Sequence, residues 1–404
     1  APRRASEIVA SLLADAAESG CLPRWSYANG QSMTMVGDSA DPLIASALAF
    51  GATGFDRHAA LAAMLRGADE ECRSANGEYL ERQGLAPYLA RGYVPFDLDT
   101  GTRNANSIYG DPDAVWGSAA STLEYTLDDF AIAQFAGRAL GDQATYGRFM
   151  QRSGNWRKLF DRRSRMIEPR YENGAFPADY DNLHGGGFVE GDSVQYSWMV
   201  PHDPAGLFRA IGGKAKATTR LRRFLRKLNA GPGGTHADHA LLGNEPTLHV
   251  PWLYDWLGQP YRTQAAVRRG LRLYGTGPAG YPGNDDLGTL SSWYVFGALG
   301  LYPSVPGVGL LAIGSPLFHR ASLALAHRRR LTITTQGHGR YVDSLELGGR
   351  RYAKPWAAWC SLAHGARLAF SLSPHPDRRW GSSRAAQPPS FGPDRPMPKG
   401  ACAP

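Results

Sequence analysis

The spacing of apolar residues changes once along the chain, near residue 307. Before that point apolar residues recur mostly at intervals of three and four, which is the pattern of amphipathic helices. The pattern predicts helices over 6–17, 41–50, 56–66, 121–140, 142–153, 201–211, 217–229, 247–257, 262–274 and 287–299. Asp41, Asp56 and a capping box at Ser121–Glu124 are the expected helix starts.

Long connections separate these helices and are rich in Gly, Asn, Asp and aromatic residues. They lie at 92–117, 170–200, 231–246 and 275–286. Many helices joined in this way predict a toroid of paired helices, with an irregular bundle as the alternative. Loops at one end of such a toroid meet around a cavity, so we expect any chemistry to be there.

After residue 307 the apolar residues alternate, as they do in half-buried strands. Segments at 323–326, 331–335 and 344–347 show this pattern, with turns at Gly348-Gly349 and His364-Gly365. Because no partner strands precede them, we expect them to complete a sheet whose other strands are absent. Residues 374–404 carry many Pro, Ser and Arg, which predicts a poorly ordered tail. The prediction is therefore a mainly α chain with a helical domain at 1–306, a β segment at 307–373 and a tail at 374–404.

Composition excludes several classes of protein. The chain has 404 residues, of which 43% are hydrophobic and 20% charged, as in folded globular proteins. It has no apolar run long enough to span a membrane. Cys21, Cys72, Cys360 and Cys402 are too widely spaced for a zinc motif, and their pairing is not readable from sequence. Aromatic residues make up 11%, which is equally typical of sugar-stacking surfaces and of large aromatic cores.

The net charge of +8 is scattered along the chain. A nucleic-acid binder concentrates its positive charge on one element. The densest clusters here, Arg220–Lys227 and Arg328–Arg330, are interpreted as solvated faces, so we predict no nucleic-acid partner. The first residues, Ala-Pro-Arg-Arg, form no targeting signal. We expect a processed chain or one that begins within a longer protein.

Three loops carry carboxylates that could do chemistry. Segment 187–203 contains Glu190 beside glycines and near Tyr and Trp, whose desolvation would raise the pKa of a general acid. Asn244-Glu245 offers oxygen donors that suit Ca²⁺, although such a turn forms without metal. Asp285-Asp286 either complements a helix dipole or activates water. For all three loops the alternative is a purely structural role, and His202-Asp203 is equally compatible with either.

Helix 121–140 carries a further acidic group. Glu124 and Asp128 are four residues apart, so they share a helical face and repel each other, with Asp129 adjacent. A solvated face is the default interpretation, and a cation or hydroxyl network is the alternative. The sequence has no dinucleotide or P-loop glycine motif, no Gly-x-Ser-x-Gly elbow and no zincin motif. Carboxylates, amides and aromatic residues on loops favour glycoside hydrolysis.

Several long motifs together resemble glycoside hydrolase family 92, the calcium-dependent exo-α-mannosidases. The resemblance runs from about residue 5 to 381 and is carried by segments at 92–95, 121–134, 155–161, 190–203, 243–246, 258–264, 282–286, 292–296 and 313–318. It implies an (α/α)6-type toroid, a secreted enzyme and a glycan substrate with a terminal α-linked mannose.

The resemblance also implies a mechanism and a set of site residues. Glu190 stands at the general acid of an inverting reaction, Asp286 at the general base and Asp285 beside it as an assistant. Inversion needs the two carboxyls roughly 6.5–9.5 Å apart, with water between base and sugar. Family members bind the sugar O2 and O3 through Ca²⁺, for which Asn244, Glu245 and Asp286 are the candidate ligands. Substrate contacts are expected from Arg24, Trp25, Asp192, Trp198, His202 and Asp203.

The sequence departs from the family pattern in two ways. Asp192 replaces the usual Asn of a Glu-Gly-Asn motif, which adds a carboxylate near Glu190. The family's N-terminal β-sandwich is missing, and the strands after residue 307 would normally join it. We therefore expect a covalent partner domain outside this chain. A non-catalytic glycan-binding remnant is the alternative to an active enzyme.

Overall fold

The computed structural model describes residues 2–27, 30–100, 111–229 and 234–393. Cys402 and the predicted loop residues 101–110 and 231–233 lie outside this part of the chain. The helices are α1 Pro2–Ser19, α2 Ala40–Ala49, α3 Arg57–Asp69, α4 Leu85–Arg91, α5 Ser118–Phe135, α6 Gln143–Arg152, α7 Ser193–Tyr196, α8 Pro204–Ile211, α9 Lys214–Phe224, α10 Pro260–Gly270, α11 Thr289–Leu299 and α12 Cys360–Ala363. No helix among the described residues has the length and apolar composition of a membrane span.

Helix α5 is the inner element of the helical toroid. It contacts α2, α3 and α6, while α1 packs on α2 and α3, and α8 packs on α9. Every residue of α5 except Glu124 is buried. Apolar side chains from all of these helices enclose it in one continuous core. The prediction of a mainly α toroid is therefore confirmed, with α5 enclosed by the surrounding helices.

Several predicted helix limits differ from the structure. Helix α5 begins at Ser118, so Ser121 lies inside it and the predicted capping box is wrong. Asp56 does cap α3 through His58 N and Ala59 N, but Ser39 precedes α2 and Asp41 lies in its first turn. The segment predicted as a helix at 247–257 is a 3-10 turn at Val250–Tyr254, because Pro251 lacks the backbone donor that an α-helix uses.

The strands are short before residue 300 and longer after it. They are β1 Ser26–Tyr27, β2 Gly30–Gln31, β3 Phe160–Asp161, β4 Met166–Ile167, β5 Leu228–Asn229, β6 Ala240–Leu241, β7 Leu301–Tyr302, β8 Leu310–Ile313, β9 Arg320–Ala324, β10 Arg330–Gly337, β11 Tyr341–Leu347, β12 Arg350–Arg351, β13 Trp356–Ala358 and β14 Ala366–Ser373. The last eight form a five-stranded sheet in the order β12-β11-β14-β10-β9 and a three-stranded sheet in the order β13-β8-β7.

These two sheets enclose a core of their own. Leu311 and Ile313 of β8 pack with Ile333 of β10, Leu345 of β11 and Phe370 of β14. Strands β7, β8 and β13 thus form one face of this core. Further strands from a domain outside this chain remain a prediction. The predicted turn at Gly348-Gly349 joins β11 to β12, where Leu347 pairs with Arg350.

The segment 374–393 is packed, although its composition predicts poor order. The Trp380 side chain is buried, and its Nε1 donates to Tyr352 O at 3.2 Å. Phe391 is also buried, and its backbone N donates to His202 O at 2.8 Å. The two aromatic side chains enter the sheet core and the helical core respectively, so this segment ties the two together.

Arg82 gathers buried acidic residues beside α5. Its guanidinium donates to Asp38 at 2.9 Å, to Asp41 at 2.8 Å and to Asp129 at 3.1 Å, and all four side chains are fully buried. Asp129 also accepts from Tyr88 and Arg152. The carboxylates would be costly to bury without this cation, because the protein interior solvates charge poorly. The solvated face expected for Asp128 and Asp129 is therefore wrong: both are 0% exposed.

Replacement of Arg82 by Gln should destabilise the fold severely. The change leaves Asp38, Asp41 and Asp129 buried without their shared cation. We expect a loss of about 3–5 kcal/mol in the free energy of unfolding, measured by urea denaturation. The matched control is Arg3→Gln, because Arg3 is 90% exposed and pairs only with Glu7. Its cost should stay within about 0.5 kcal/mol, and a similar small cost for Arg82→Gln would contradict the assignment.

Candidate active site

The loop that carries Glu190 is fixed by bonds on both sides. Glu190 has a positive φ of 48°, a conformation that costs energy for any residue other than glycine. Immediately after it, a Cβ on Gly191 would lie 2.9 Å from the Tyr196 ring, so the chain needs glycine there. The Tyr196 hydroxyl donates to Val189 O at 2.7 Å. These contacts hold Glu190 in one orientation.

Asp286 lies on a second strained loop. Its φ is 43°, and the next residue, Leu287, has a φ of 56°. Asp285 closes this turn: its carboxylate accepts from Ser291 N at 2.8 Å and from the Ser291 hydroxyl. Asp285 therefore anchors the start of α11, which leaves Asp286 as the carboxylate that faces the other loops.

The third loop meets the second through their backbones. A Cβ on Gly243 would lie 2.3 Å from Pro282 O, and one on Gly283 would lie 2.2 Å from Gly243 O. Only glycine allows this approach. Asn244 then connects the third loop to the first, since its Nδ2 donates to Glu190 O at 2.9 Å. The structure thereby brings Glu190, Glu245 and Asp286 together from three distant parts of the chain.

The electrostatics of Glu245 confirm this proximity. Burial, together with repulsion from the nearby Asp286 and Glu190, raises the pKa of Glu245 to about 7. Glu245 and Asp286 also share a hydrogen bond. Two carboxylates this close do not both ionise readily, so the pair holds a proton near neutral pH or requires a cation.

Glu124 is a fourth carboxylate at the same place. It projects from helix α5, and Gly37 packs closely against it. A Cβ on Gly37 would lie only 2.7 Å from Glu124 Cβ. Burial raises the pKa of Glu124 to about 8, with a further contribution from Glu245. Glu124 is partly exposed, and it lies beside Glu245 in the carboxylate group and not on an open solvated face.

The predicted sugar contacts are placed differently. Arg24 is buried, and its guanidinium donates to Gly37 O at 2.9 Å, to Glu81 O at 2.7 Å and to Gln83 Oε1 at 2.8 Å. Arg24 therefore fixes the backbone at Gly37, which packs on Glu124. Trp25 is partly exposed, and its backbone bonds to the Gln31 side chain.

Asp192 and Asp203 act as helix caps. Asp192 accepts from Gln195 N at the start of α7 and from Ala237 N, each at 2.8 Å. Burial raises its pKa to about 7. Asp203 is fully buried and accepts from Gly206 N at 2.9 Å, from Arg157 and from the Ser390 hydroxyl. Both carboxylates already have structural partners, so the geometry does not direct them to a sugar.

His202 and Trp198 are fully buried. His202 bonds to Ser153 O at 3.0 Å and stacks on Phe130, and burial lowers its pKa to about 4. Trp198 packs beneath Arg220, whose Cζ lies 5.3 Å from the ring centroid. Neither side chain joins the group formed by Glu190, Glu245 and Asp286. Both residues are close to Glu190 in sequence, but they follow α7 into the core.

Comparison with known proteins identifies the class. The model of the glycosyl hydrolase family 92 catalytic domain matches residues 1–374. Two solved mannosidase structures from Bacteroides thetaiotaomicron superpose closely on this chain. A family 92 α-mannosidase gives a TM-score of 0.85 at 29% identity over 96% of this chain, and a family 92 inverting mannosidase gives 0.84 at 30% identity over 96%.

A curated relative points the same way. It is an uncharacterized secreted glycosidase from Arthroderma benhamiae, 26% identical over 92% of this chain. The chain spans about half the length of these relatives, at 49% of the curated relative and 49% and 53% of the two structures. The helical toroid, three carboxylates from its loops and the match to the family model together identify a glycoside hydrolase catalytic domain. The chain belongs to glycoside hydrolase family 92.

Replacement of Glu124 by Gln should change how stability depends on pH. The folded state holds the Glu124 proton more tightly than the unfolded chain, because its pKa rises from 4.5 to about 8. Its contribution is therefore complete below pH 4.5 and is lost as the pH rises through 8. One such proton adds a slope of up to about 1.4 kcal/mol per pH unit. Glu124→Gln should lack this component in urea unfolding between pH 5 and 8.5, measured with chelator present.

The control for this experiment is Glu7→Gln. Glu7 is about half exposed on α1, with a side chain 51% accessible, and should retain the wild-type pH profile. Parallel stability curves for wild type and Glu124→Gln would show that Glu124 ionises normally and would remove it from the carboxylate group.

Proposed function

We propose that this chain is the catalytic part of an exo-α-mannosidase that removes terminal α-linked mannose from glycans with inversion at the anomeric carbon. One observation carries the proposal: Glu190, Glu245 and Asp286 converge from three loops, and Glu190 and Asp286 both hold strained, positive φ angles. Strain of this kind persists only where surrounding contacts enforce it, and it is concentrated at functional sites. The mannosidase structures that superpose on the chain support the choice of sugar.

Two carboxyl groups supply the proton chemistry in this proposal. Glu190 donates its proton to the oxygen of the departing group, so that the bond to the anomeric carbon breaks without forming a free alkoxide. Asp286 accepts a proton from the water that attacks the opposite face of the sugar. Asp285 acts as a positioning residue, because its bonds to Ser291 fix the turn that presents Asp286.

The donor set at Glu245 and Asp286 fits a calcium ion. The two carboxylates share a hydrogen bond, and Asp286 helps to raise the pKa of Glu245 by repulsion, which a divalent cation would relieve. Carboxylate, amide and backbone oxygens are the ligands Ca²⁺ prefers. Asn244 is less free for this role, since its Oδ1 accepts from Glu245 N at 3.2 Å and its Nδ2 is bound to Glu190 O. A bound Ca²⁺ would supply electrostatic attraction for sugar hydroxyl groups.

The setting of the enzyme is also proposed. A curated relative is described as a secreted glycosidase, which supports an extracellular location for this chain. The relatives are about twice as long, which supports a further domain as a covalent partner. Because such a domain would add walls to the site, a chain that binds mannose without turnover is the competing function.

The decisive experiment compares substrates with different leaving groups. Wild type should release mannose from 2,4-dinitrophenyl α-mannoside and from an α-mannobiose, and proton NMR should show β-mannose as the first product. Glu190→Gln should lower kcat/KM on the disaccharide by roughly 10²–10⁴-fold, because its leaving group needs the acid. The loss on the dinitrophenyl substrate should be much smaller. A chelator should abolish activity and Ca²⁺ should restore it.

The matched control is Glu172→Gln, an exposed carboxylate that pairs with Arg91 at the surface. It should keep wild-type rates on both substrates. Equal rates for Glu190→Gln and wild type on the disaccharide would remove Glu190 as the acid. Calorimetric binding of mannose with no turnover of either substrate by wild type would instead support the glycan-binding function.

A further inference from the structure

A second cavity lies behind the loop that carries Glu190, on the outer side of α7. It has a volume of about 630 Å³, which is in the range of small-molecule sites. It is bounded by α7, by α9 and by the hairpin of β3 and β4. Its apolar lining comes from Met166, Val194, Trp198, Ile211 and Phe224. We refer to this space as the Arg220 cavity.

The polar lining of the Arg220 cavity is strongly cationic. Arg165, Lys216, Arg220 and Arg223 all line it. Asp238 is the one acidic residue among the described lining residues, and it is already bound to Arg223 and His239. The lining therefore has an excess of positive charge, with no carboxylate left to neutralise it.

Among these cations, Arg220 is the one whose surroundings most lack a negative charge. Its guanidinium donates to Arg165 O at 2.5 Å and to Met166 Sδ, and it lies over the Trp198 ring. Its Nε is buried and has no hydrogen-bond acceptor. No carboxylate among the described residues lies within ion-pair distance of it. Burial without a counter-ion lowers the pKa of Arg220 to about 10.

A buried guanidinium without an anion is costly, and a buried donor without an acceptor adds to the cost. An oxyanion in the cavity would supply the counter-ion that the Arg220 guanidinium lacks, while an apolar body would cover Met166, Val194 and Trp198. We propose that the Arg220 cavity binds a small organic anion that has an apolar, ring-sized body and a single carboxylate or similar oxyanion head. The interpretation of Arg220 as part of a solvated face is replaced by this one.

The site is separate from the catalytic loops but connected to them through the backbone. Asp192, two residues after Glu190, caps the start of α7, and the helix ends at Tyr196, two residues before Trp198. Trp198 O accepts from His249 at 2.9 Å, which links the floor of the cavity to the segment following Glu245. Trp198, which the sequence analysis expected to contact substrate, lines this cavity.

The test is calorimetric titration of the chain with 2-naphthoate and, as its neutral counterpart of the same shape, 2-naphthamide. Naphthoate should bind at least about tenfold more tightly than naphthamide, because the charge-assisted bond to Arg220 requires the carboxylate. Arg220→Gln should weaken naphthoate binding about tenfold. The matched control is Arg222→Gln, which removes one positive charge from the exposed side of the same helix and lies outside the lining. It should leave the affinity within about twofold.

A second variant and an NMR measurement at Met166 keep the proposal testable if Arg220→Gln does not fold. Lys216 is exposed, so Lys216→Glu should fold normally and should also weaken naphthoate binding. In protein labelled with ¹³C-methyl methionine, the Met166 methyl resonance should shift on addition of naphthoate and should be assigned by its loss in Met166→Leu. Equal binding of naphthamide, unchanged affinity in both charge variants, or an unmoved Met166 signal at saturation would each overturn the proposal.

Discussion

Helix α5 has almost no solvent face, and this constraint determines much of the molecule around it. Each polar group on a helix enclosed on all sides must find a partner within the protein, because water cannot reach it. Asp128 and Asp129 obtain theirs from Asp38 N and from Arg82, Tyr88 and Arg152. Glu124 instead reaches the group of carboxylates formed by the loops, where Glu245 lies near it. The same burial that requires the Arg82 network also raises the pKa of the carboxylate nearest the site.

The close packing of the loops that carry Glu245 and Asp286 requires glycine at the point of contact. Gly243 and Gly283 let two backbones touch, and any side chain at either position would separate Glu245 from Asp286. Asn244 then holds the first loop to the third through Glu190 O. Positive φ angles at Glu190 and Asp286 are retained because these contacts leave no relaxed alternative. Rigid placement of this kind is what a pair of carboxyls needs to act on opposite faces of one sugar.

The polar residues of the 187–203 segment fall into two groups: Glu190 faces the site, and the others are buried in structural roles. Glu190 remains at the surface of the site, whereas Asp192 and Asp203 cap helices, and His202 is held neutral in the core. Trp198 is buried and packs against Arg220. One short helix, α7, thus divides the segment between the proposed catalytic site and the proposed anion site.

Sequence alone determined the class of fold and the family, and it singled out three carboxylates that the structure brings together. The change of apolar period near residue 307 indicated helices followed by strands, and long ordered motifs identified family 92 through Glu190, Glu245 and Asp286. It could not distinguish a carboxylate that caps a helix from one that faces a cavity, because both have the same local pattern, as Asp192 and Asp285 show. It also interpreted Glu124, Asp128 and Arg220 as solvated.

Only the tertiary structure decided these cases. Burial, and with it the pKa of an acid or the need of an arginine for an anion, is set by residues far away in sequence that pack around the group.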